Sequence, residues 1–140
     1  MKNSQIAYQL QVLFAKKITN VYRNSYKGIF GKVQVEALDY LYEYPNARTQ
    51  DVADALIIPK QHASKIILRL IELGLVEKRE DPNDKRAHLF CLSKEGKILV
   101  DEHIELSDKN FDGLVQKLSE EEEKEFVESM KSIVSILEKL

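Results

Sequence analysis

Apolar residues recur at helical spacing from the start of the chain: Ile6, Leu10, Leu13, Phe14, Ile18 and Val21. The pattern predicts a helix from Ser4 to about Tyr26, ended by Gly28 and Gly31. A second helix is predicted over residues 33–44, with Val35, Leu38, Leu41 and Tyr42 on one side and Pro45 as its stop. Thr49 then reads as the N-cap of a short third helix, with Asp51 in its first turn and Val52, Ala53 and Leu56 as its buried side. Pro59 fits the first turn of a fourth helix that ends at Gly74. There Ile66, Ile67, Leu70 and Leu73 are expected to point inward, and Lys60, Gln61, Ser64, Lys65 and Arg69 fall on the other side.

Beyond Gly74 the character changes. Residues 75–79 and 87–92 read as two strands joined by a charged tip, Asp81-Pro82-Asn83-Asp84-Lys85-Arg86. Asp, Pro and Asn serve a turn for backbone reasons, but a turn has no need of Lys85 and Arg86. Ser93 opens a long helix, and Ser119 with Glu122 forms a capping-box pattern for the last one. That helix spaces Phe126, Met130, Ile133, Leu137 and Leu140 at steps of four and three. The element order is that of a winged helix-turn-helix. The predicted fold is mainly α with a small β-wing, with a DNA-binding region over 33–92 flanked by dimerisation helices over 1–32 and 93–140. A wing tip that reaches a DNA backbone or minor groove gives Lys85 and Arg86 their purpose.

Charge supports this only when read locally. The net charge is −2, but residues 1–57 and 58–92 each carry +2 and residues 93–140 carry −6. A basic middle face is compatible with the acidic total. No apolar run approaches a membrane span, the first residues lack a signal-peptide pattern, and a cytoplasmic location is the expectation. One cysteine, Cys91, excludes an intrachain disulfide and a cysteine-cluster metal site.

The stretches "TQDVADALIIPKQHASKIILRLIELGLVEKRED" and "DPNDKRAHLFCLSKEGKIL" resemble the helix-turn-helix, the wing and the strand-to-helix junction of the MarR family of transcriptional regulators. The family's D-x-R wing motif falls on Asp84 and Arg86, and the flanking helices match in length and order. The resemblance implies a homodimer that binds near-palindromic operators on double-stranded DNA, usually as a repressor. In many members a small, often aromatic or anionic, ligand releases the DNA. One departure is Pro59, which stands where many members open the recognition helix with Ser or Thr. The first polar reach then passes to Lys60 and Gln61.

The candidate DNA-binding residues are therefore Thr49, Gln50, Lys60, Gln61, His62, Ser64, Lys65, Arg69, Lys85 and Arg86. Gln61 has the amide to read adenine, and Lys65 reaches guanine or phosphate. Asp84 is expected to hold Arg86 and the wing turn by hydrogen bonds, with Asp81 and Asn83 as turn formers. The stripes Ile6, Leu10, Leu13, Phe14 and Phe126, Met130, Ile133, Leu137, Leu140 are assigned to a dimer interface. Tyr22, Tyr26, Phe30 and Tyr42, with Tyr8, are candidates for an effector pocket against a reading as plain core. An enzyme is not indicated. His62, His88 and His103 lack metal-ligand spacing, and no nucleotide-binding or nucleophile motif is present, so no cofactor is expected. The alternative from another class is a winged helix that binds only protein.

Overall fold

The structure, a computed structural model, describes residues 1–23, 26 and 30–140. Helix α1 covers Asn3–Phe14 and passes through a five-residue π-helical turn, Ala15–Thr19, into α2, Asn20–Arg23. The single helix expected over 4–26 is thus interrupted. A π turn spaces its residues more widely than an α turn and re-phases the helix face. Ile18 is buried on that turn, whereas Ile6, Leu10, Leu13 and Phe14 on α1 are exposed. Gly28, to which the helix end was assigned, lies outside the described residues.

Helix α3 spans Lys32–Glu43 and buries Ala37, Leu38 and Leu41. Val35 is half-buried and Tyr42 is exposed, so Tyr42 does not belong to the inward stripe to which its spacing assigns it. Gly31 caps α3 with φ −70°, and its N–H donates to Gln34 Oε1 at 3.2 Å. Helix α4, Thr49–Leu56, begins one residue earlier than expected. Asp51 reaches back to accept the N–H of Arg48 at 2.8 Å, which puts Arg48 in the cap position and Thr49 inside the first turn. Helix α5 spans Lys60–Glu72, with Pro59 immediately outside it as N-cap. Ala63, Ile66, Ile67 and Leu70 are buried, but Leu73 is exposed. Leu73 sits past the helix end, where Gly74 takes the left-handed conformation (φ +76°) and turns the chain into the wing.

Strands β1, Val76–Asp81, and β2, Asp84–Leu92, form an antiparallel pair. Both run further than the expected 75–79 and 87–92. Only Pro82 and Asn83 make the turn, and Lys85 and Arg86 lie on β2 rather than at the tip. The ladder pairs Val76 with Leu92 through Glu80 with His88, and its register breaks between Glu80 and Asp81, which leaves Lys85 and Arg86 outside the paired positions. Ala47 adds a bridge beside β2: its N–H donates to the Phe90 carbonyl, and the Phe90 N–H donates back.

Helices α3, α4 and α5, the wing and the start of the next helix share one core, which includes Leu38, Leu41, Val52, Ile67, Leu70, Val76, Phe90 and Val100. Cys91, whose side the alternation leaves open, is buried. Helix α6, Lys94–Val115, starts at Ser93, whose Oγ accepts the Gly96 N–H at 3.0 Å and donates to the Gly74 carbonyl at 2.6 Å. Gly96 packs so closely that a Cβ there would lie 2.1 Å from the Leu75 carbonyl oxygen. Helix α7, Glu120–Leu137, carries the expected capping box: Ser119 Oγ accepts the Glu122 N–H, and Glu122 Oε1 accepts the Ser119 N–H, each at 3.1 Å. Leu140 lies beyond the end of α7 and is 96% exposed, so it does not extend that helix's stripe.

Candidate nucleic-acid interface

Recognition chemistry needs polar side chains held on a rigid, open surface. Helix α5 provides such a face. Its buried residues fix one side, which leaves Lys60, Gln61, His62, Ser64, Lys65 and Arg69 exposed on the others. Arg69 Nη1 lies 3.4 Å from Glu72 Oε2, both well exposed. On α4, Thr49 is half-exposed, and Gln50 donates to Asp54 Oδ1 at 2.8 Å across one helical turn.

The wing presents Lys85 and Arg86, both exposed, near its turn. Asp84 Oδ1 accepts the backbone N–H of Arg86 at 3.0 Å, a contact that shapes the start of β2 and leaves the guanidinium to other partners. Asp81 does more than form a turn. Its Oδ1 accepts the Asn83 N–H at 2.9 Å, and its Oδ2 lies 2.6 Å from Arg48 Nη2. The side chain of Asp81 is 8% exposed. Its carboxyl is held below the usual carboxylate range, first by the Asn83 N–H and then by the Arg48 guanidinium. Sequence reading missed this pair: Arg48 and Asp81 are 33 residues apart, and neither carries a local signal for the other.

A second cluster lies between α3 and α6. Tyr26 is buried, with its ring stacked on His103 at 3.7 Å between centroids and Phe30 edge-on to it at 6.1 Å. The Tyr26 hydroxyl donates to Asp39 Oδ1 at 2.8 Å, and His103 Nε2 lies 3.9 Å from the same oxygen. Burial raises the Tyr26 pKa, with the Asp39 hydrogen bond adding to it. Burial also raises that of Asp39 and lowers that of His103. His103 is 6% exposed, and its Nδ1 has no hydrogen-bond partner among the described residues. Beside the cluster is a cavity of about 310 Å³ whose lining includes Tyr22, Tyr42, Asp39, Glu43, His103 and Asp108. Of the predicted pocket aromatics, Tyr22 and Tyr42 line this cavity. Tyr42 also donates its hydroxyl to Asp101. Tyr26 and Phe30 are not among the lining residues, and Tyr26 packs into the core. Tyr8 lines a separate groove along α1. His103 has a signal that was available: Val100, His103 and Ser107 are buried at helical spacing on α6.

The helices assigned to dimerisation carry apolar side chains open to solvent in the single chain. No residue of α1 or α7 is buried. Ile133 and Leu137 are exposed, Phe126 and Met130 are half-buried, and Phe126 stacks on Phe111 at 6.4 Å. Among the described residues, no group of three metal-ligating side chains occurs, and no helix is long and apolar enough to cross a membrane.

A two-stranded wing beside a helix-turn-helix, with a polar face on the second of its helices, defines the winged helix class. Residues 30–96 match the family model described as "Winged helix DNA-binding domain". The chain is 26% identical over 99 residues to the HTH-type transcriptional regulator BilQ of Clostridioides difficile (strain CD3), a span that covers 71% of this chain and 67% of that protein. It aligns with MepR, a transcription regulator of the Staphylococcus aureus multidrug efflux pump MepA, at TM-score 0.79 and 22% identity over 98% of this chain and 99% of that one. A MepR variant bound to an oligodeoxyribonucleotide aligns at TM-score 0.68 and 22% identity, over 94% and 97% of the two chains. A MarR variant from E. coli aligns at TM-score 0.78 and 17% identity, over 96% and 97%. The chain has a winged helix fold, and that fold is shared with the MarR-family regulators among the aligned structures. BilQ and MepR are both named as regulators of transcription.

Proposed function

We propose that this protein regulates transcription by binding a near-palindromic operator as a homodimer, acting as a repressor. One observation carries the reading: α5 exposes Lys60, Gln61, Ser64 and Lys65 along one polar face while the wing exposes Lys85 and Arg86 in the same winged helix unit. In this reading α5 enters the major groove, Gln61 reads a base, and Lys60, Lys65, Arg69, Thr49, Gln50 and His62 contact bases or phosphates. Arg86 and Lys85 meet the backbone or minor groove, and Asp84 sets the wing backbone that carries them.

The homodimer is supported by the exposed stripes of α1 and α7. Each buried Leu, Ile or Phe is worth roughly 1.5–3 kcal/mol, so leaving both stripes wet forfeits a large part of a typical domain's stability. A two-fold interface over residues 1–32 and 93–140 would cover them and set two recognition helices about 34–36 Å apart, one DNA turn. The cavity beside His103 is the site for an effector. Its carboxylates Asp39, Glu43 and Asp108 favour an aromatic ligand between Tyr22 and Tyr42 over an anionic one. The reading also places the protein in the cytoplasm, with the DNA.

Selection of bound genomic fragments by the purified protein, followed by fluorescence anisotropy over a salt series, tests this. The expected result is an inverted repeat with half-sites about 10 bp apart and an affinity that falls steeply with salt. Recovery of no common motif, with salt-independent binding, would leave a protein-interaction module as the better reading.

A further inference from the structure

Ile57 occupies the turn between α4 and α5 with φ 55° and ψ 52°, in the left-handed region. A β-branched side chain is among the worst residues for that backbone, and glycine the best. The turn itself demands the conformation. The Ile57 N–H donates to the Asp54 carbonyl, and the Ile58 N–H reaches the Ala53 carbonyl at 3.0 Å, which is the paired bonding that closes a helix through a left-handed residue. The Ile57 side chain gains nothing from the core in exchange, because it is 91% exposed. Its neighbours Leu56 and Ile58 do the packing, both half-buried against the core. Ile57 therefore combines a strained backbone with an apolar side chain left in water, two costs that the folded chain does not repay.

The position suggests what repays them. Ile57 stands two residues before Pro59, the cap of α5, at the end from which a recognition helix reads bases. Lys60, Gln61 and His62 follow directly, all exposed. The geometry points to Ile57 as a specificity-determining residue that makes an apolar contact with a thymine C5-methyl group in the major groove, a feature that only the T·A pair presents there. This rests on the DNA-binding reading above. Strain at a turn is retained where function uses the side chain it holds.

The test is a deoxyuridine scan of the selected operator, which deletes one C5-methyl at a time, applied to the parent, Ile57→Gly and Ile57→Asn. The parent should lose about fourfold in affinity at one position per half-site, the worth of burying a methyl group. Both variants should bind the unmodified operator more weakly and be indifferent to the methyl at that position. Their melting temperatures should be no lower than the parent's, since Gly and Asn relieve the backbone. Equal sensitivity of parent and variants to every methyl, or a uniform loss across all sequences, would overturn the contact, as would a marked fall in melting temperature. The parent's salt-sensitive binding keeps the two readings apart: if the parent fails to bind any duplex, the DNA reading fails and this inference with it, whereas a parent that binds, beside variants equally sensitive to every methyl, removes only Ile57.

Discussion

Arg48 Nη2 sits 2.6 Å from Asp81 Oδ2, a link between the start of α4 and the far end of β1. The Arg48 N–H also donates to Asp51, so one residue both caps the first helix of the helix-turn-helix and holds the wing to it. The spacing between the α5 face and the wing cations depends on how rigidly these two parts are joined.

Removing this tie should therefore affect DNA binding more than folding. Arg48→Ala, in which Asp81 is left nearly buried without its guanidinium, should weaken operator affinity and lower the melting temperature. The sign with pH follows from the depressed Asp81 carboxyl. Its contribution to stability is complete above the ordinary carboxylate value near 3.9 and is lost as pH falls through its lower folded value. Asp81→Asn should flatten that acid limb in thermal melts taken between neutral pH and pH 3. An unchanged limb would mean that other carboxylates set it.

Three substitutions separate the kinds of DNA contact. Arg86→Ala should cost about 1–3 kcal/mol of binding with the fold intact. Gln61→Ala should relax preference at one position per half-site, and Lys65→Ala should weaken all sequences and reduce the salt slope. Anisotropy against a panel of single-base variants at several salt concentrations distinguishes these outcomes. If all three scale every sequence equally, direct readout by α5 is absent.

Gly96 stands where the wing meets α6, and Gly96→Ala would set a methyl group 2.1 Å from the Leu75 carbonyl oxygen. Backbone cannot move aside as a long side chain can, so the substitution should destabilise by about 1–3 kcal/mol or more, as overpacking does. It should also disturb the Ser93 bonds to Gly74 and Gly96. Chemical denaturation with an unchanged midpoint would show that α6 can shift outward at no cost.

His103 should make stability depend on pH on the mildly acidic side. Its folded pKa is lowered by burial, so the unfolded chain takes up a proton first as pH falls below the usual value near 6.5, and stability declines from there toward the folded value. Asp39, whose pKa burial raises, works the other way: its ionisation costs stability as pH rises above the ordinary Asp value. His103→Leu should abolish the decline just below pH 6.5 while leaving the lower-pH limb. Identical melting profiles for parent and variant would locate the pH response elsewhere.

The apolar stripe of α7 offers a test of assembly that spares the monomer fold. Ile133 and Leu137 are exposed in the single chain, so charging both should leave the winged helix unit intact. Ile133→Glu with Leu137→Glu should convert the dimer to monomer in sedimentation experiments and reduce palindrome affinity to that of one half-site. A charged variant that remains dimeric would remove α7 from the interface.

What the sequence determined by itself was local. Helical spacing marked Val52 and Ala53 on α4 and Ile66, Ile67 and Leu70 on α5 as buried, though it missed Ala63 and misplaced Leu73. Ser93, Ser119 with Glu122, and Gly74 marked helix ends because caps are satisfied within one turn of the chain. Element order then specified a winged helix, and the exposed face of α5 followed from its buried one. Only the tertiary structure decided which distant groups meet. Arg48 found Asp81 across 33 residues, and Tyr26 and His103 converged on Asp39. Such pairs depend on how helices and strands pack, which no period of two or 3.6 residues encodes. The same holds for the wing, where a register break between Glu80 and Asp81 leaves Lys85 and Arg86 on β2 without a partner position on β1, and for Ile57, whose strained backbone is imposed by the bonds that close α4.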